Sequence, residues 1–86
     1  MANLRWDELR FLVAIDDAGT LLGAARTLKV SHSTVARHLE RAERVVGSRI
    51  FHRRGNVLVA SERAELLLKE ARRISQEIQS LTQFAG

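Results

Sequence analysis

Between Ser31 and Arg54 the chain sets Arg37, Arg41, Arg44, Arg49, Arg53 and Arg54 against only Glu40 and Glu43, and His32, His38 and His52 fall in the same stretch. A guanidinium is a planar fork of donors that meets a phosphate, or the O6 and N7 edge of guanine, with two parallel hydrogen bonds. Elsewhere the charges cancel. Arg5, Arg10, Arg26 and Lys29 balance Asp7, Glu8, Asp16 and Asp17, and Arg63, Lys69, Arg72 and Arg73 balance Glu62, Glu65, Glu70 and Glu77. The whole net charge of +4 therefore resides in one segment, the electrostatic footprint of a surface for a polyanion. A solvated basic face would have the same composition, so the elements that carry the arginines must decide.

Other chemistries find little support. The chain has no cysteine, which removes disulfides and thiolate metal sites, and the scattered histidines lack metal-ligand spacing. Paired carboxylates in a concave setting, a nucleophile motif and a phosphate loop are all missing, and 86 residues leave little room for a pocket; an enzyme is not expected. No cofactor is expected either. No apolar run is long enough to span a membrane, and Arg5 and Asp7 interrupt any signal-peptide-like start, so a cytoplasmic, nucleoid-associated protein is the expectation. Four aromatics without a tyrosine make a poor stacking platform for single strands, and Trp6 suits a core or subunit contact better.

Glycines and capping residues punctuate the chain, which lacks proline. Leu9, Phe11, Leu12, Val13 and Ile15 form a broad helical stripe that Gly19 stops, predicting a helix over roughly 5–18. Thr20 is placed to cap a second, short helix, Leu21 to Leu28, with Ala24, Ala25 and Leu28 inward. After the tight Lys29-Val30 turn, Ser31 caps a third helix from His32 to about Val46, closed by Gly47. Val35, Leu39, Ala42 and Val46 recur along one side of it, leaving His32, Ala36, Arg37, Glu40, Arg41 and Arg44 outward. Glu40, Glu43 and Arg44 are spaced for local ion pairs.

Ile50-Phe51 and Val57-Leu58-Val59 read as short strands joined through residues 52–56, with Gly55-Asn56 as positive-φ turn residues. Ser61 caps a last helix, Glu62 to about Phe84, in which Leu67, Ala71, Ile74, Ile78 and Leu81 alternate spacings of four and three, the mark of a two-helix seam. Such a helix extends about 30 Å, farther than so small a body can cover. The expected fold is mainly α: a winged helix-turn-helix of three helices and a small β-hairpin over residues 1–60, then a linker and dimerisation helix over 61–86.

Two short helices meeting at a tight turn need small residues where they cross, and Ala25, Val30 and Val35 stand at the turn and gap of such a helix-turn-helix. In that motif the second helix enters the major groove by its N-terminal end while a basic wing reaches phosphates or the minor groove.

The run Ala18-Gly19-Thr20, Ala24-Ala25, Leu28, Val30-Ser31-His32-Ser33-Thr34-Val35, Arg37, Glu43, Gly47, Ile50-Phe51 and Arg53 resembles the DNA-binding domain of LysR-type transcriptional regulators over residues 4–65. The helix that follows is similar to that family's linker helix. The resemblance implies a homodimer through that helix and an interrupted inverted repeat in double-stranded DNA. It also implies a separate effector-binding domain, absent from this chain, through which alone a small molecule would act. His32 stands where the family usually has glutamine and Ala36 where serine is usual, so the half-site preference is expected to deviate from the family norm; Ala60-Ser61-Glu62-Arg63-Ala64 replaces a leucine-threonine-glutamate-alanine-glycine run, which leaves the entry into the last helix open.

By position on the motif, His32, Ser33, Thr34 and Arg37 are expected at the DNA, with Arg37 a candidate for guanine or for a phosphate. Thr20, Lys29 and Arg41 are candidates for phosphates, and Arg53 and Arg54 for backbone or minor groove from the wing. The alternative is a winged-helix adaptor whose arginines meet an acidic protein. A non-specific nucleoid-type binder is a third reading, one that would not need a recognition helix.

Overall fold

The structure, a computed structural model, describes residues 3–85. Its elements follow in the order α1 (Trp6–Ala18), α2 (Leu21–Leu28), α3 (His32–Val46), β1 (Phe51–Arg54), β2 (Val57–Ala60) and α4 (Glu62–Ala85). This is the expected winged helix-turn-helix with a long final helix.

Local chemistry explains the boundaries. The Thr20 hydroxyl accepts from the Gly23 amide at 2.9 Å, Ser31 from Thr34 at 3.2 Å and Ser61 from Ala64 at 3.2 Å, each satisfying a donor that a helix start leaves orphaned. α1 and α3 end on left-handed Gly19 and Gly47, whereas α2 ends on Lys29, the one non-glycine residue with positive φ among those described. That left-handed residue makes the α2–α3 turn tight: the amides of Lys29 and Val30 return to the carbonyls of Arg26 and Ala25.

Leu12, Ile15, Val35 and Ile50 are the largest fully buried side chains, drawn from α1, α3 and the segment entering β1. Each stabilises the fold by about 1.5–3 kcal/mol through removal from water. Ala24 and Ala25 lie at the α2 crossing with no surface to spare, as the sequence required; Val30 instead stays at the surface. Ala64 and Leu68 of α4 join this cluster, so the boundary drawn at residue 60 falls within one packed body.

β1 and β2 pair antiparallel, with Phe51 opposite Ala60 and Arg54 opposite Val57. The strand runs on through Arg54, leaving Gly55-Asn56 as the tip, and of these two only Gly55 has positive φ. The wing is hung on the body by the Leu58 amide, which donates to the Gly19 carbonyl at 2.7 Å. A Cβ on Gly19 would stand 3.0 Å from Val57 Cγ1, so glycine both takes the left-handed turn and leaves the wing uncrowded at the α1–α2 corner.

Candidate nucleic-acid interface

α3 buries Val35 and Ala42 completely. Arg37 follows Val35 by two positions, about 200° around the helix, which turns it directly away from the core. His32, Ser33, Arg37, Glu40, Arg41 and Arg44 are all exposed, Thr34 and Ala36 are half-buried, and Val46, expected inward, is exposed. At the helix start the Ser31 hydroxyl lies 3.1 Å from Ser33 Oγ and 2.8 Å from Thr34 Oγ1. These hydroxyls form one small cluster over the first turn, where backbone amides point outward and favour an anion.

Three elements converge beside that turn. Thr20 at the start of α2, His32 at the start of α3, and Arg53 and Asn56 of the wing line a single open cleft of about 390 Å³, joined by Arg49 and Glu43. The cleft thus collects two of the residues that sequence assigned to α2 and α3 and one assigned to the wing. Arg54 and Lys29 are exposed as well, outside the cleft lining. Arg49, counted in the basic segment, was not among the residues expected at the DNA; its place in that segment was the available signal.

Arg41 is differently placed from its neighbours. Its Nε lies 3.5 Å from Glu8 Oε1 with the side chain half exposed, so it is shared between α1 and solvent. Glu8 is the one polar residue buried among those described, at 2% exposure. Its Oε1 also accepts from the Arg5 amide at 3.2 Å, and its Oε2 lies 3.2 Å from Nδ1 of His38, whose ring stacks on Phe11 with centroids 4.0 Å apart. Glu43 makes none of the local ion pairs its spacing suggested. Its carboxylate accepts from the Ile50 amide at 2.9 Å and fixes the chain as it leaves α3 for the wing.

The seam residues of α4 divide by depth. Ala71 is 1% exposed, turned into its own domain, Leu67 and Ile74 are half-buried, and Ile78 and Leu81 are exposed. Leu66 and Phe84, outside the expected spacing, are more exposed still, at 72% and 92%.

Residues 6–65 match the family described as bacterial regulatory helix-turn-helix protein, lysR family. The chain belongs to the LysR family. It is a DNA-binding domain of that family's transcriptional regulators. It is 30% identical over 82 residues to the HTH-type transcriptional regulator DgcR of Pseudoalteromonas sp., covering 95% of this chain and 28% of that protein. It is 34% identical over 74 residues to the HTH-type transcriptional regulator PecT of Dickeya dadantii (strain 3937), covering 86% of this chain and 23% of the relative. The LysR-family chain thus spans about a quarter of the length of these curated relatives. The fold is also that of the DNA-binding domain of CbnR in its DNA complex, with a TM-score of 0.81 at 22% identity over 94% of this chain and 93% of that one. No helix among the described residues is long and apolar enough to cross a membrane.

Proposed function

We propose that this LysR-family domain reads an interrupted inverted repeat in duplex DNA as a homodimer, with α3 in the major groove and the wing on the backbone or minor groove. The observation that carries this reading is the convergence of Thr20, His32 and Arg53 on one cleft, beside the first turn of the helix that presents Arg37. A duplex laid against that side meets the start of the recognition helix and the wing together. Arg37, His32 and Ser33 reach base edges or the flanking phosphates; Thr20, Thr34 and Lys29 hold phosphates; Arg53 and Arg54 contact the strand beside the groove. Arg41, paired with Glu8, contributes a weaker phosphate contact.

Pairing uses the outer face of α4, where Ile78 and Leu81 with half-buried Leu67 and Ile74 meet a second copy. Leu67 also packs against the core of its own domain, whereas Ile78 and Leu81 hold apolar surface out to solvent. A regulator built this way works in the cytoplasm at the nucleoid, and any effector acts through a further domain of the kind the longer relatives have room for.

Selection from a random duplex pool tests the proposal. Recovery of one inverted repeat, bound at least about 10³-fold more tightly than random sequence with a log affinity that falls linearly with log salt, is the expected result. Weak binding indifferent to sequence would overturn it in favour of an adaptor with an acidic protein partner.

A further inference from the structure

The C-terminal end of α1 carries Asp16 and Asp17 and no basic residue in its last turn, although negative charge there opposes the helix dipole. The compensating cation comes from far along the chain. Arg72 of α4 places Nη2 2.6 Å from Asp16 Oδ2 and 2.7 Å from Asp17 Oδ1. The hydrogen bonds that this guanidinium donates to Asp17 and then to Asp16 raise its pKa above that of an ordinary arginine.

The position of this contact along α4 is what matters. Ala64, Leu68 and Ala71 are buried on the side of the body, Arg72 comes next, and from Gln76 to Phe84 every residue is exposed. Arg72 is therefore the final charged attachment before α4 leaves its domain. The helix continues from Arg72 to Ala85, about 20 Å at 1.5 Å per residue. Over that lever a tilt of about 10° moves the far end by roughly 3.5 Å, close to one base-pair step along a strand.

We propose that the Arg72–Asp16/Asp17 contact is a positioning device that sets the exit angle of α4, and with it the half-site spacing a paired molecule accepts. The inference rests on the pairing and inverted-repeat reading above. The same corner of α1 ends in Gly19, whose carbonyl holds the wing through Leu58, so the linker and one DNA-facing element take their bearings from four consecutive residues. An isolated exposed ion pair contributes little to stability. Its effect here is on direction, because the lever multiplies small angular slack.

The test is selection of inverted repeats with randomised spacer length, run on the wild-type chain, Arg72→Gln, Arg72→Lys, and Asp16→Asn with Asp17→Asn. The wild type is expected to prefer a narrow set of spacings. Arg72→Gln and the double asparagine variant broaden that set and bind the preferred spacing about 3- to 10-fold more weakly, while affinity for an isolated half-site stays within about twofold, as loss of effective concentration alone requires. Arg72→Lys, which keeps a cation between the carboxylates, retains most of the preference. An inverted repeat with the same spacing profile in all four proteins would overturn this inference and leave the proposed function standing. Half-site affinity and melting temperature falling together with the spacing preference would also overturn it, by reducing Arg72 to a general stabiliser. Recovery of single half-sites only by the wild type would remove the pairing reading, and this inference with it.

Discussion

Glu8 Oε2 and His38 Nδ1 approach to 3.2 Å across 30 residues of sequence, joining the first turn of α1 to the middle of α3. The recognition helix is thus held to the body by a polar contact as well as by Val35 and Ala42. A carboxylate taken out of water is tolerated when its oxygens are bonded, and the Arg5 amide, His38 and Arg41 supply those partners.

Replacing Glu8 with leucine leaves the Arg5 amide and His38 without their acceptor, and we expect a loss of about 1–3 kcal/mol. Replacing Glu8 and His38 together with leucine should cost less than the sum of the single changes, since no orphaned partner remains on the histidine side. Urea denaturation midpoints of the two single variants and the double one check this; additive losses would remove the coupling.

Arg37→Ala should weaken binding to the selected duplex by at least tenfold and narrow its margin over random DNA, the loss of about 1–3 kcal/mol that a bidentate guanine contact carries. Arg41→Ala should lose less, because that side chain is already engaged by Glu8. Fluorescence anisotropy on both variants decides the order.

Both Gly19 and Gly47 are left-handed, yet only Gly19 faces a neighbour. Gly47→Ala should cost about 1–2 kcal/mol for the backbone conformation alone. Gly19→Ala should cost more and displace the wing, because the added methyl meets Val57 and the adjacent carbonyl anchors Leu58. Thermal melts give the stabilities, and a fall in duplex affinity specific to Gly19→Ala reports the wing.

Depth along α4 separates two effects of charge. On the proposed pairing, Ile78→Asp and Leu81→Asp should shift the protein from dimer to monomer in sedimentation while the melting of the helical body changes little. Ala71→Asp should instead lower the melting temperature, since its carboxylate would be buried without a partner. Monomers from Ala71→Asp with unaltered melting would contradict the placement of Ala71.

Much of this architecture was legible because its signals are local. A hydroxyl before each of α2, α3 and α4, and a glycine after α1 and α3, lie within a few residues of the boundary they create. The outward arginines could be read from their phase against Val35 and Ala42. What stayed hidden depends on distant approach. Glu8, in a first turn, looks like a surface acid complementing the helix dipole until α3 arrives over it. Glu43 has the spacing of an ion pair with its neighbours, but the chain turning after Gly47 brings the Ile50 amide to it first. Arg72 finds Asp16 56 residues away, with Asp17 beside it. The Leu67 to Leu81 stripe could not divide itself, because alternation of four and three is the same whether a residue faces its own domain, as Ala71 does, or open solvent, as Leu81 does.

The unaccompanied end of α4 has a cost for a solitary molecule. A helical stretch of nine or so residues with no tertiary neighbour is marginal in water, and here it also holds Leu81 and Phe84 out to solvent. On the proposed pairing its order is therefore a property of company rather than of sequence: a second copy laid along Ile78 and Leu81 would shield these turns, so their persistence would rise with concentration.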